Sequence, residues 1–238
     1  SPLCTGPFLG GISSGVKPVK PSTLPWKGSQ TIPVARFVDC FLNPGKTIDF
    51  NGTKVTYPEV RLVMWAGGNP FAHQPDTMKL ERAWKKPETV VVTDTVWTAT
   101  ARHADIVLPA ATVFEHNDIT NIGTYSNDGL VAMQQAIEPQ WESKPDYWIF
   151  SKLAKRMGLE AAYTEGLDEM GWIKRLYGES QKMGERIGVK LPAFEAFWKK
   201  GYFLFDVAEK DRNFVAFEAF RKDPKANSLA TESGLIQL

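Results

Sequence analysis

The sequence is short of the residues that build metal sites and disulfide frameworks: 238 residues carry two cysteines and three histidines. Cys4 and Cys40 cannot by themselves supply a cysteine zinc or iron–sulfur site, which uses about four ligands. A disulfide between them is open, and two unpaired thiols are the commoner arrangement. His73, His103 and His116 lie in separate stretches with no i, i+4 pair, which argues against a zinc trio. No charge of one sign dominates: 28 basic and 27 acidic residues leave a net charge of +1, so nothing calls for nucleic acid or an acidic surface as partner. No apolar run reaches the roughly 18 residues needed to span a bilayer. The start, SPLCTGPFLGG, lacks the basic opening and apolar core of a secretory leader and reads as a beginning inside a longer protein. Repeats and low-complexity tracts are absent. The remainder, 43% hydrophobic and 23% charged, is the composition of a globular chain with enough length to bury a sizeable core.

What is present centres on the stretch from Val60 to Asp118. Leu62 to Trp65 is a continuous apolar run, expected of a parallel strand buried on both faces. Gly67 and Gly68 then allow a sharp turn with no side chains between backbone and ligand. Pro70 fixes its own φ and biases Asn69 towards an extended conformation. Thr77 to Trp84 reads as a crossover helix. A second apolar run from Thr89 ends in Thr93-Asp94, polar groups at the carboxyl end of a strand, where open α/β sheets bind ligands. A short helix or turn at Thr98 to His103 and a third strand, Asp105 to Leu108, closed by Pro109, complete the pattern. Strands alternating with helical connections predict a Rossmann-like parallel sheet flanked by helices, of α/β class.

Around this core the signals are local. Ser1 to Trp26 reads as loop. Within it Gly11-Ile12-Ser13-Ser14-Gly15 matches the hydrolase nucleophile elbow, but the VKPVKP that follows cannot open the required helix. Ile32 to Leu42 is spaced as a short amphipathic helix stopped by Asn43-Pro44-Gly45. Asn51-Gly52 is a strong hairpin signal between Ile48 and Tyr57. Gly123 to Met133 reads as loop with short strand pairing. Asp146 to Met157 predicts an amphipathic helix with Trp148, Ile149, Leu153 and Met157 on one face and Gly158 as its stop. Leu167 to Met183 predicts a helix broken near Gly178. Ala193 to Lys200 and Asn213 to Phe220 predict short helices, and the tail from Asp223 is expected to be extended.

Together WAGGNPF, the TD pair, TATARHADIVLPAATVFEHND, GTYSNDGLVAMQQAIEP, KPDYWIF and FRKDPKANSLATESGLIQL resemble the molybdopterin oxidoreductases of the dimethyl sulfoxide reductase family. Within that family the trimethylamine N-oxide, dimethyl sulfoxide and biotin sulfoxide reductase group is the most similar. The likeness runs from about Gly45 onward and more loosely before it. It implies three parts: an amino-terminal loop and short helix (1–44), an α/β domain binding molybdopterin guanine dinucleotide (45–222), and a tail leading to a further domain (223–238). It implies that the parent reduces an N-oxide or S-oxide by two electrons at a molybdenum bis(molybdopterin guanine dinucleotide) centre, and that its remaining domains are this segment's partners. No stretch resembles the family's metal-ligand region, so no catalytic or metal-binding residue is assigned here, and the isolated segment is expected to be inactive and free of cofactor.

Carried over motif by motif, the implied cofactor contacts are Gly67, Gly68, Asn69, His73, Thr93, Asp94, His116 and Asp146. Glycine turns offer backbone N–H groups to phosphate oxygens, while carboxylates accept from ribose hydroxyls or guanine N–H groups. His73 is expected to donate to phosphate and His103 to position the loop before the third strand. By residue type alone, Asp94 and Asp146 are as well explained as helix caps. The chain departs from the family in His73-Gln74-Pro75, where relatives carry further histidine and glutamine, and at His116, where arginine is usual. A nicotinamide dehydrogenase is disfavoured because no G-x-G-x-x-G opens a helix after a strand. A non-catalytic interaction module on the same fold is the alternative.

Overall fold

The computed structural model describes residues 32–50, 53–122, 129–186, 189–205 and 215–236. The G-x-S-x-G stretch, Cys4 and the Asn51-Gly52 turn lie outside them. The described chain divides into two compact units, one holding Gln134–Met170 and the residues up to Asp118, the other holding Ile119–Met133 and the residues from Gly171.

The first unit opens with a 3₁₀ turn, Val34–Arg36, and helix α1, Phe37–Leu42, within the expected helical span. Strands β1 (Thr47–Phe50) and β2 (Thr53–Thr56) pair antiparallel with Phe50 opposite Thr53, the register a two-residue connection imposes. Asp39 ties this hairpin to α1, accepting from the Tyr57 hydroxyl at 3.1 Å and from Lys46 at 3.2 Å. Cys40 is a buried free thiol.

The parallel sheet follows the expected grammar. Its strands are β3 (Leu62–Ala66), β4 (Thr89–Asp94) and β5 (Ile106–Pro109), in the order β3-β4-β5 and parallel throughout. Between β3 and β4 lie α2 (Pro70–His73) and α3 (Thr77–Trp84), and between β4 and β5 lies α4 (Ala99–Arg102). The α3 span matches the expected crossover helix, and Asp76 starts it by accepting from the Lys79 N–H at 2.8 Å.

Register explains which face is packed. Val63 lies beside Val90, and Trp65 beside Val92, which lies beside Val107; neighbours in a ladder share a face. Those side chains join Val38 of α1, Leu80, Ala83 and Trp84 of α3 and Ala101 of α4 in one core. Burying each large side chain there is worth roughly 1.5–3 kcal/mol. The expectation that β3 is buried on both faces is corrected: Leu62 is 61% exposed. All the helices in this core land on the Val63 and Trp65 face, and β3 is an edge strand among the described residues. Its continuous apolar run reports composition, not two-sided burial.

After β5 the unit continues with α5 (Asp146–Arg156) and α6 (Glu160–Thr164). Of the face predicted for α5, Ile149 is buried, together with Ala154, whereas Trp148, Leu153 and Met157 are exposed. Gly158 does end the helix region with φ +71°.

The second unit pairs β6 (Asp118–Ile122), β7 (Gly129–Met133) and β8 (Tyr202–Leu204) in one sheet, with β7 and β8 antiparallel. Helices α7 (Glu169–Arg186), whose first two residues Glu169 and Met170 belong to the first unit, α8 (Phe194–Lys200) and α9 (Glu218–Lys222) complete it. Its core joins Leu130, Ala132, Tyr177, Leu191, Phe197 and Phe205. The expected break at Gly178 does not occur. Ile173, Tyr177 and Ser180 are buried at successive helical spacings on either side of it, and that stripe outweighs the ~1 kcal/mol helix cost of one glycine. Residues 223–236 form local turns rather than an extended tail: Asn227 N–H donates to the Asp223 carbonyl and Leu229 N–H to that of Gly234. The side chains of Asp223, Asn227, Thr231 and Ser233 also bond within those turns. No helix among the described residues is long and apolar enough to cross a membrane.

Candidate functional site

Parallel strands end on one side, so the segments after β3, β4 and β5 meet along a single edge. After β3, Gly67 and Gly68 take φ of +75° and +79°, left-handed values that glycine adopts without strain. A Cβ on Gly67 would meet nothing within 4 Å. Asn69 follows in a non-helical conformation, and Pro70 occupies the first position of α2, where its missing N–H costs nothing. The Asn69 carbonyl oxygen on its side chain accepts from the Thr100 hydroxyl at 2.7 Å and from the Thr100 N–H at 3.3 Å. That pair locks the turn to α4. His73 is held in the turn: its Nε2 accepts from the Asn69 N–H at 3.0 Å, so this nitrogen carries no proton and does not donate. A donor must be Nδ1.

At the end of β4, Asp94 Oδ2 accepts from the Thr98 hydroxyl at 2.7 Å and Oδ1 from the Thr95 N–H at 2.8 Å. Thr98 itself caps α4 through the Ala101 N–H at 3.1 Å. Asp94 therefore holds the cap and is not the cap. Beside it Thr93 is 2% exposed, and its hydroxyl has no partner among the described residues; the Trp65 indole N–H is likewise buried and has none among them. An orphaned buried polar group costs about 1–3 kcal/mol, a cost that a bound ligand can remove. The Trp65 nitrogen lies 4.0 Å from where a Gly68 Cβ would stand.

The edge extends by one isolated bridge beyond what the sequence suggested. Ala110 forms a parallel bridge with Lys144: the Lys144 N–H donates to the Pro109 carbonyl at 3.1 Å, and the Ala111 N–H to the Lys144 carbonyl at 2.9 Å. This pairing delivers Pro145 and Asp146 to the same edge. Asp146 is the first residue of α5, exposed, with Pro145 in the cap position and no side-chain cap bond. Its carboxylate suits the helix dipole but satisfies no backbone N–H of its own helix, so the capping explanation fails here too.

His116 makes its own contacts with Asn117 and Glu169. Its Nδ1 lies 2.9 Å from the Asn117 carbonyl and 3.3 Å from Glu169 Oε1. The Glu169 carboxylate, opposed by burial and aided by Asn117, raises the imidazole from its ordinary 6.5 to about 9. At neutral pH this histidine is a cation facing a carboxylate. His103 does position its loop: Nδ1 lies 2.7 Å from the Ala99 carbonyl, and the ring stacks on Phe71 at 4.0 Å. The histidines hold separate contacts, and among the described residues no group of three or more His, Cys, Asp or Glu side chains is placed to hold a metal. The sequence signals missed Thr100, Trp65 and Lys144. Each looks like an ordinary core or surface residue until the fold places it against the edge.

The family model for molybdopterin oxidoreductases matches residues 32–156. The chain belongs to the molybdopterin oxidoreductase family. Membership implies a molybdenum–molybdopterin cofactor, and the edge fits such a group: an open glycine turn, two buried donors with no partner among the described residues and two carboxylates that cap no helix. The chain is 50% identical to the dimethyl sulfoxide/trimethylamine N-oxide reductase of Cereibacter sphaeroides, matching all of this chain and 29% of that relative. It is 46% identical to the trimethylamine-N-oxide reductase of Salmonella typhi, over 98% of this chain and 27% of that one. It thus spans less than a third of the length of these relatives. Among solved structures, acetylene hydratase from Pelobacter acetylenicus matches with a TM-score of 0.51 and 22% identity, over 75% of this chain and 21% of that one. At that identity the likeness concerns the fold alone.

Proposed function

We propose that this chain, chiefly residues 45–222, holds one guanine dinucleotide arm of a molybdenum bis(molybdopterin guanine dinucleotide) cofactor in a reductase of N-oxides or S-oxides. The observation that carries the reading is the convergence of Gly67, Gly68 and Asn69, of Thr93 and Asp94, and of Asp146 on one sheet edge through the Ala110–Lys144 bridge. The cofactor supplies two-electron oxygen-atom transfer; the protein binds, orients and shields it. In this reading the backbone at Gly67 and Gly68 approaches phosphate oxygens without an intervening side chain. The Thr93 hydroxyl donates to a cofactor oxygen, and Asp94 stays fixed by Thr98 with lone pairs left for a ribose hydroxyl. Asp146 accepts from guanine N1–H and N2–H₂. His73 contributes through Nδ1, and His116 lends positive charge near the rim. The remaining domains of the parent would close over this edge and build the substrate funnel.

The test is calorimetric titration of the chain with GDP, with Asp146→Asn beside it. Binding in the millimolar to sub-millimolar range, weakened about tenfold or more by the substitution, is the expected result, because an amide presents a donor where guanine N–H groups need an acceptor. Equal affinity in the two proteins would remove Asp146 from the site. No binding at all would favour the interaction-module alternative.

A further inference from the structure

One buried carboxylate has no part in the site described above. Glu115 is 4% exposed and lies in the loop after β5. Its Oε2 accepts from the Thr112 N–H at 2.6 Å, and its Oε1 from the Gln140 N–H at 2.6 Å, with the Ser143 hydroxyl 3.5 Å away. The backbone bonds from Thr112 and Gln140 outweigh burial and hold its carboxyl below the ordinary carboxylate range. The same loop is stitched to the same partner segment on either side. The Phe114 carbonyl accepts from the Ala136 and Ile137 N–H groups, and Asn117 Oδ1 from the Gln135 N–H at 3.0 Å.

The segment held in this way is under tension. The Ser143 N–H and hydroxyl both reach the Gln140 carbonyl, at 3.0 and 2.7 Å, and close a turn. Inside that turn Trp141 has φ +51° and is 95% exposed. A tryptophan in a left-handed conformation, with no burial to reward it, needs an outside restraint. Glu115 holds the start of the turn through the Gln140 N–H at 2.6 Å, while the Ser143 hydroxyl gives its proton to the Gln140 carbonyl. Immediately after the turn, Lys144 enters the sheet edge and Asp146 starts α5.

We propose that Glu115 is the positioning residue that fixes segment 140–146, and through it the Asp146 carboxylate, at the carboxyl edge of the sheet. The inference rests on the reading of Asp146 as the guanine-facing acid. Glu115 touches no ligand in this scheme; it sets where Asp146 stands. A glutamine cannot replace it, because its amide nitrogen would confront one of the two N–H donors that the carboxylate accepts.

The experiment compares the wild-type chain, Glu115→Gln, and Glu115→Gln combined with Trp141→Gly by amide hydrogen exchange, thermal melting and GDP titration. In Glu115→Gln, exchange of residues 140–148 should rise about tenfold or more while β3 and β4 keep their protection. GDP affinity should fall about tenfold, as a displaced binding group predicts. Glycine at 141 adopts the turn conformation freely, so the double variant should recover much of both. Unchanged exchange at 140–148 would overturn the proposal. So would a rise spread evenly through the first unit, which would make Glu115 a general stabiliser. If the wild type binds no GDP, the guanine reading fails on its own, and the exchange pattern still decides the role of Glu115.

Discussion

Two glycines, one in each unit, do opposite work. Gly67 ends β3 with φ +75°, and a Cβ there would meet nothing within 4 Å. Gly129 starts β7 with ordinary strand geometry, yet a Cβ there would collide with the Phe203 carbonyl oxygen of the neighbouring strand. The first glycine supplies a backbone conformation and leaves space empty. The second supplies space that the chain itself fills. Glycine at the edge of the parallel sheet is therefore suited to an incoming ligand, whereas glycine in the antiparallel sheet belongs to packing. Residue type alone does not separate the two cases, but the surroundings do.

The largest effect expected from this contrast is at Gly129. Gly129→Ala forces a methyl group against a backbone carbonyl that is held in a ladder, so relief requires β7 and β8 to separate. Overpacking of this kind costs about 3 kcal/mol, read as a lowered urea midpoint with exchange rising at 129–133 and 202–204. A loss below about 0.5 kcal/mol would mean that β8 shifts freely, and that Gly129 is no packing glycine. Gly67→Ala should cost less. It meets no clash, only the left-handed penalty of about 1–2 kcal/mol, and exchange in the β4 core should not change. Equal losses at the two positions would break the comparison.

The same contrast explains what was legible in the sequence. The parallel sheet could be read because each of its parts is announced locally: an apolar run, a Gly-Gly turn, an Asn-Pro exit, an Asp76 cap, a second apolar run. Spans such as Thr77–Trp84 follow from that chemistry. The second unit was harder. Its strands β6 and β7 flank an Asn- and Gly-rich stretch, and β8 pairs with β7 only after more than sixty intervening residues, a non-local partnership that no local pattern encodes. Gly178 misled because helix propensity is a weak prior against a buried stripe of Ile173, Tyr177 and Ser180. At the candidate site, the residues proposed from motifs were legible as motifs. Their companions were not: the Lys144 bridge is a backbone pairing, indifferent to side-chain identity. Glu115 looked like any acid in a polar loop, and the tautomer of His73 became readable only from the Asn69 N–H beside it.

The smallest effect expected is electrostatic, and it also separates the units. The folded-state value of His116, about 9 against an ordinary 6.5, means that the protonated form favours the folded loop. This stabilisation is complete below about pH 6.5 and fades as the pH rises through about 9, because the neutral imidazole no longer attracts Glu169. The groups acting on it are Glu169, Asp118 and the Asn117 carbonyl. Partial exposure of the pair limits the contribution to about 1 kcal/mol. In the second unit, Tyr177 donates to the Pro192 carbonyl at 2.9 Å, and burial pushes its hydroxyl far above this window, so that core should not respond. Exchange measured at pH 6 and pH 9.7, corrected for intrinsic rates, should therefore show residues 115–118 loosening while 173–180 hold. The pH response at 115–118 should vanish in His116→Gln. A response that persists in the variant would assign it to other groups, and the loop would then owe its position to the Glu115 and Asn117 bonds alone.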